Sequence, residues 1–182
     1  MRIIGGKHKG RKLITPKDQK IRPTSDRVKE SLFNIIQYDI ADSSFLDLFA
    51  GTGNVGIEAI SRGAKVVFCD KNIQSIRLIK SNLELINETA EVYNLDASEC
   101  VRFLHYKNQY FDFIYIDPPY ESDYQEILQT LVKYPIMNRN AKIIVEHLVN
   151  KDLMFDQKNY NLINSRKYGA TALTFLSFVE NI

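Results

Sequence analysis

The stretch from Phe45 to Gly56 leaves this chain few folds to choose from. Phe45-Leu46-Asp47-Leu48-Phe49 reads as a short buried strand, and Ala50-Gly51-Thr52-Gly53-Asn54-Val55-Gly56 is a glycine-rich turn that feeds a helix through Ile57, Ala59 and Ile60. Two glycines one residue apart, then a third, let the backbone turn sharply and let a ligand approach it closely. Such a turn is weak evidence by itself. Here a strand precedes it, a helix follows, and a second strand, Lys65-Val66-Val67-Phe68-Cys69, ends in Asp70, which is the setting a nucleotide-binding loop requires. Asp70 stands 19 positions beyond Gly51, close to the spacing at which an acidic residue on the second strand reaches ribose hydroxyls. The reading is a nucleoside cofactor rather than an empty turn.

The alternation continues along the chain. Ile73, Ile76, Ile79, Leu83 and Ile86 recur at helical spacing, Ala90 to Leu95 reads as a third strand ending at Asp96, and Cys100 to His105 as a short helix. Tyr110 to Ile116 makes a fourth strand. Tyr124, Ile127, Leu128, Leu131 and Val132 lie on one helix face, with Ser122 or Asp123 as its cap, and Ala141 to Val145 makes a fifth strand before Glu146 and His147. Strands alternating with helices imply a mostly parallel sheet covered on both faces. The end departs from this pattern: Tyr160 to Lys167 and Thr171 to Val179 are two extended runs joined at Gly169, a hairpin able to insert one antiparallel strand.

In an open parallel sheet, ligands collect beyond the carboxyl ends of the strands. Asp47, Asp70, Asp96, Asp117 and Glu146 all fall at or near such ends. Each alone has an ordinary explanation as a surface carboxylate, but five on one rim raise one another's cost unless a ligand or hydrogen bonds offset it. Asp117 opens Asp117-Pro118-Pro119-Tyr120 directly after the fourth strand. A strand stop and turn would need no more than the prolines. A carboxylate and an aromatic around two stiffening prolines also make a rigid polar ledge suited to a flat substrate.

At 182 residues, 45% of them hydrophobic, the chain has the length of one domain with a sizeable core. No apolar run approaches a membrane span, and Met-Arg-Ile-Ile-Gly-Gly-Lys lacks the long apolar core of a signal peptide, so a cytoplasmic protein is expected. Cys69 and Cys100 fit no metal-ligand spacing and read as free core thiols, so no metal is expected; His8, His105 and His147 read as structural or surface residues. The net charge of +2 conceals an asymmetry: residues 1 to 29 hold ten Lys or Arg against Asp18 and Asp26, +8, while the remaining 14 basic and 20 acidic residues give −6. The basic residues are interleaved with Ile3, Ile4, Leu13 and Ile14 and with Gly5, Gly6 and Gly10, which reads as a β-hairpin holding charge on a fixed scaffold for phosphate contacts. Pro23-Thr24-Ser25 then signals a helix carrying Val28, Leu32, Ile35 and Ile36 to about Tyr38. The expected organisation is a basic hairpin extension, 1–20, on a main domain, 21–182.

These motifs together resemble a known family. Asp47-Leu48-Phe49-Ala50-Gly51-Thr52-Gly53 with Asp117-Pro118-Pro119-Tyr120 is similar to the S-adenosylmethionine-dependent methyltransferases of exocyclic amino groups. Gly6-Lys7, Lys9-Gly10-Arg11-Lys12-Leu13, the run Arg22 to Asn34 and Lys167-Tyr168-Gly169 resemble, over essentially the whole chain, the RsmD family, bacterial enzymes that methylate a guanine N2 of 16S ribosomal RNA. The resemblance implies a Rossmann-like class I methyltransferase, α/β, with a seven-stranded mostly parallel sheet and an antiparallel C-terminal hairpin strand. It implies S-adenosylmethionine as cofactor and S-adenosylhomocysteine as product. Asp47, Phe49, Gly51 and Gly53 would border the methionine part, Asp70 the ribose, and Asp96 with Ala97 the adenine, while Thr24 and Arg27 would lie over the pocket. Asp117, Pro118 and Tyr120 would hold the acceptor base, and Lys7, Lys9, Arg11, Lys12 and Arg22 the RNA. The partner would be 16S rRNA, as free RNA or in an assembling 30S subunit, bound by a monomer with no membrane contact.

Three rivals stand beside this expectation. An adenine-N6 methyltransferase shares the Asp-Pro-Pro-Tyr ledge but normally adds a target-recognition segment for which 182 residues leave little room. An NAD-dependent dehydrogenase shares the glycine loop and gives no reason for Asp117 to Tyr120. A non-catalytic RNA-binding module on the same scaffold has no use for an intact Asp117, Pro118 and Tyr120.

Overall fold

The computed structural model describes residues 1–15, 25–119, 124–151 and 153–179. Helix α1 (Asp26–Ile35) starts where Ser25 caps it, its hydroxyl accepting from the Val28 amide at 3.3 Å. It ends three residues short of the expected Tyr38, and it buries Val28, Lys29, Leu32 and Phe33. The chain then alternates through β1 (Ser44–Asp47), α2 (Asn54–Ser61), β2 (Lys65–Cys69), α3 (Ile73–Leu85), β3 (Glu91–Tyr93), α4 (Ala97–Tyr106), β4 (Phe111–Ile116), α5 (Tyr124–Lys133) and β5 (Met137–Leu148). It closes with β6 (Tyr160–Tyr168) and β7 (Thr171–Phe178). Expected capping of α5 by Ser122 or Asp123 lies outside the described residues.

The seven strands form one sheet in the order β3-β2-β1-β4-β5-β7-β6. The first five are parallel, whereas β7 pairs antiparallel with both β5 and β6, so the C-terminal hairpin inserts its second strand between β5 and its first. Strand β5 is longer than the apolar run Ala141 to Val145 suggests. Its polar start pairs with β4 across an irregularity between Phe111 and Phe113, and Asn140 takes a left-handed φ of 66°. From β1 the chain winds outward to β2 and β3, then returns to lay β4 on the other side of β1. The carboxyl ends of β1 and β4 therefore flank the point where the winding reverses.

A core fills each face. On one, α1, α2 and α3 bring Val28, Phe33, Ile57 and Ile79 onto Phe45, Phe68, Phe113 and Tyr115. On the other, α4 and α5 bring Val101, Leu104, Ile127 and Leu131 onto Leu46, Ile114, Ile116 and Val145, and both free cysteines are buried. Gly56 is needed in α2, because a Cβ there would stand 2.2 Å from the Phe68 ring.

The N-terminal hairpin has one antiparallel bridge, Arg2 to Lys12, supported by Ile3–Arg11, Gly10–Ile3 and Leu13–Met1 backbone bonds. It is fixed to the body along its length. Ile3 and Leu13 join the core, the Ser61 hydroxyl donates to the Gly5 carbonyl, the Lys7 amide donates to the Ser61 carbonyl, and Ile14 exchanges two bonds with the Asn82 side chain. At its root lies Lys29, 0% exposed, whose ammonium donates to the Arg2 carbonyl at 2.6 Å and to Asn54 Oδ1 at 2.8 Å, and pairs with Glu58 at 3.3 Å. Among the described residues no helix is long and apolar enough to cross a membrane.

Candidate active site

A cavity of about 390 Å³ opens at the reversal point, within the range typical of small-molecule sites. It is bordered by Asp47 and the glycine turn after β1, Asp70, Lys71, Asn72 and Ser75 after β2, Asp96 and Ala97 after β3, Tyr115, Asp117, Pro118 and Pro119 at the end of β4, Glu146 on β5 and Thr171 on β7. Ser25, the cap of α1, and Val28 in its first turn also border it. Elements far apart in sequence thus converge because their strands end together.

The glycine turn is held by carboxylates. Gly51 and Gly53 have φ of 51° and 76°, and Gly53 starts α2. Asp70 Oδ2 accepts from the Gly51 amide at 2.7 Å while its Oδ1 accepts from Asn72 at 2.8 Å. Asp47, 1% exposed, accepts from the Gly56 amide at 2.9 Å inside α2. Burial pushes the Asp47 carboxyl up to about 7, opposed by the Gly56 bond and reinforced by the Asp70 charge. Asp96 caps α4 through the Ser98 amide at 3.0 Å.

Asp117 is the first residue after β4, two positions beyond Tyr115, and both border the cavity. Burial, then the charges of Glu146 and Asp47, hold its carboxyl well above the usual carboxylate range. Pro118 is buried beside it. The Tyr115 hydroxyl donates to Glu146 Oε2. Of the side chains bordering the cavity among the described residues, five are carboxylates and one, Lys71, is a cation. This balance suits a ligand carrying positive charge.

The expected site residues divide accordingly. Asp47, Phe49, Gly51, Asp70, Asp96, Ala97, Asp117 and Pro118 border one cavity. Gly53 shapes the turn from behind, against Ile57 and Ile79, and Arg27 is exposed on α1 away from the cavity lining. Thr24, Arg22 and Tyr120 lie outside the described residues. Lys7, Lys9, Arg11 and Lys12 are exposed on the hairpin, where Lys7 pairs with Glu88 at 2.7 Å and Arg11 donates to the Leu85 carbonyl at the end of α3. The histidines have partners that sequence spacing does not reveal: His8 meets Glu88, His105 meets the Pro135 carbonyl, and His147 bridges β5 to Thr174 of β7.

Sequence reasoning overlooks Asn72, Ser75 and Thr171 as site residues. Asn72 carried a signal, an Asn directly before an apolar helical run, and it does cap α3 by accepting from Gln74 at 2.9 Å. Thr171 carried none, since only the insertion of β7 beside β5 brings it to the rim. No group of three or more metal-ligating side chains is arranged to hold a metal among the described residues.

Known proteins share this sequence and shape. Residues 1–177 match the family described as Conserved hypothetical protein 95. Ribosomal RNA small subunit methyltransferase D of Escherichia coli strain K12 is 36% identical over 176 residues, covering 94% of this chain and 87% of that protein. A solved Escherichia coli structure described as a candidate methyltransferase superposes with a TM-score of 0.84 at 31% identity, over 97% of this chain and 96% of that one. A more distant candidate methyltransferase, solved in complex with SAH, shares the fold at a TM-score of 0.69 and 16% identity, over 84% of this chain and 48% of its own. With a match spanning nearly all its length and relatives of this similarity, the chain belongs to the Conserved hypothetical protein 95 family, which is the RsmD family.

Proposed function

We propose that this protein is an rRNA methyltransferase that transfers a methyl group from S-adenosylmethionine to the exocyclic N2 of a guanine in 16S ribosomal RNA. The observation that carries the reading is the meeting of the glycine turn, the buried Asp47 and the Asp117-Pro118 ledge in one cavity. A relative named as a small-subunit rRNA methyltransferase and a neighbour of the same fold in complex with SAH support it.

The residues present fit the cofactor. A buried carboxylate raised by desolvation and an excess of acid over base suit a ligand with a sulfonium and an ammonium, and the Gly51 turn allows close approach of the backbone. When bound, S-adenosylmethionine supplies a methyl group already activated by positive sulfur, and sulfur keeps the bonding pair as the neutral thioether. The protein's task is the acceptor. A guanine N2 is a poor nucleophile because its lone pair is delocalised into the ring. An Asp117 oxygen and the Pro118 carbonyl accept the two N2 hydrogens, which localises the pair and directs it into the cavity. Nitrogen gives that pair to the new N–CH₃ bond and sheds one proton to Asp117. Proline on both sides of the accepting carbonyl limits reorganisation. The base must be unpaired or flipped to reach the ledge. Tyr120 is assigned to stack on it, and Thr24 to close over the cofactor. The expected substrate is 16S rRNA, free or in an assembling 30S subunit, met in the cytoplasm by a monomer.

Incubating the purified protein with tritiated S-adenosylmethionine and small subunits from cells lacking the gene, then mapping the labelled nucleotide, tests the reading. Label on a guanine N2 is expected. Label on an adenine N6, or none on RNA, overturns it.

A further inference from the structure

The Asp-Pro-Pro ledge can take the amino group of adenine or of guanine, so something beside it must choose the base. We propose that Glu146 is the specificity-determining residue, accepting the N1–H of guanine next to the amino group held at Asp117 and Pro118. This rests on the guanine reading above and names how that base is told from adenine.

The placement follows from register. Strands β4 and β5 run parallel with Ile116 opposite Val145; Asp117 and Glu146 are the next residues along each chain, and the Glu146 charge is felt at Asp117. Tyr115 near the end of β4 and Asp117 just beyond it line the same cavity, and Glu146 reaches Tyr115 by accepting from its hydroxyl. Both acids border the cavity. Glu146 already acts as an acceptor here, in a hydrogen bond from the Tyr115 hydroxyl, and carboxylate oxygens are acceptors by type. A carboxylate offers about four lone-pair sites, more than one donor occupies.

Two neighbouring acceptors select a ligand edge with two neighbouring donors. Guanine presents N1–H beside N2–H₂. Adenine presents its N6 amino group beside N1, which is an acceptor and would face the carboxylate lone pairs. Like charges held together in a partly desolvated site need such donors to offset their cost, as the raised Asp117 indicates. No bond is made or broken at Glu146, and the N1 proton stays on the base.

The test uses small subunits reconstituted around ligated 16S rRNA carrying guanine, 2-aminopurine or adenine at the mapped target, assayed with tritiated S-adenosylmethionine. 2-Aminopurine keeps the C2 amino group but has an unprotonated N1. The wild type is expected to favour guanine over 2-aminopurine by about 100-fold in kcat/KM, since one directed contact is lost and a repulsion gained at roughly tenfold each. Glu146→Gln, whose amide can donate to that nitrogen, is expected to bring the preference to about tenfold or below with cofactor affinity kept. Equal use of guanine and 2-aminopurine by the wild type overturns the proposal, as does an active Glu146→Gln with unchanged preference. Should the variant not fold, the wild-type ratio decides. Preferential methylation of adenine, or of no base, overturns the guanine reading itself, so the two failures are distinguishable.

Discussion

Asp47 and Asp117 share one cavity but are set for different partners. Asp117 stands at the end of β4 beside Pro118, facing the acceptor, so Asp117→Ala should lower methyl transfer by about 10²- to 10³-fold, the scale seen when one preorganised polar contact is removed. Cofactor affinity by calorimetry should change little; a matching loss there would move Asp117 to the cofactor side. Asp47 lies behind the glycine turn, and its carboxyl is pushed up to about 7. A carboxyl raised in the folded state favours folding fully below its unfolded value near 4, and that contribution is lost as pH rises through about 7. The ligand-free protein should therefore lose up to about 4 kcal/mol of stability between pH 4 and 7, and Asp47→Asn should flatten that slope. A cationic ligand favours the ionised form, so S-adenosylmethionine should bind more tightly as pH rises through the same window. Thermal unfolding with and without cofactor, from pH 4 to 8, reads both effects, and a wild-type slope matching that of Asp47→Asn rules the assignment out.

Among the elements, α1 and α2 are joined by a buried ion pair that also holds the hairpin. Lys29 reaches Arg2, Asn54 and Glu58 at once, and Glu58 in turn accepts from the Ile4 amide at 2.8 Å and pairs with Arg62 at 3.0 Å. Burial lowers the Lys29 pKa, against the opposing pull of Glu58. Lys29→Met leaves Glu58 short of a partner in a dry site and should cost about 3 to 5 kcal/mol in urea unfolding. A cost below about 1 kcal/mol would mean that Arg62 and the Ile4 amide suffice for Glu58. This junction also marks where sequence reading stops. The strands, the helices, the glycine turn and the acidic strand ends are legible because each writes a local signal: an apolar run, a 3.6-residue period, a cap or a breaker. Lys29 instead reads as one more cation in a basic stretch, because its burial is decided by Glu58 and by the arrival of the Arg2 carbonyl. Asp70 is legible as a site residue, yet its bond to the Gly51 amide is not, since that depends on β1 and β2 lying in register. Thr171 and the Tyr115–Glu146 contact depend on strand order in the same way.

For the molecule as a whole, the charge asymmetry has a direction in space. The acids gather at the carboxyl ends of the strands, while the hairpin runs along α2 and α3, whose first turns face that end. Its bonds to Ser61, Leu85 and Glu88 place Lys7 and Arg11 by the far ends of those helices. Thirteen residues of α3 span about 20 Å, so the basic turn sits about that far from the cavity mouth. A small ligand cannot bridge the two, but a polyanionic chain can lie along the hairpin while one base enters the cavity. Because the hairpin is pinned by core residues Ile3 and Leu13, its charges act at fixed positions. Glutamates in place of Lys9, Arg11 and Lys12 should weaken rRNA binding while leaving S-adenosylmethionine affinity unchanged, and should flatten the slope of log affinity against log salt by about 2 to 3, the value for three lost phosphate contacts. Filter binding of 16S rRNA at 50 to 200 mM salt measures the slope. An affinity lowered equally at every salt concentration would mean that the substitutions disturb the fold rather than the phosphate contacts, and an unchanged affinity would take the hairpin out of the RNA path.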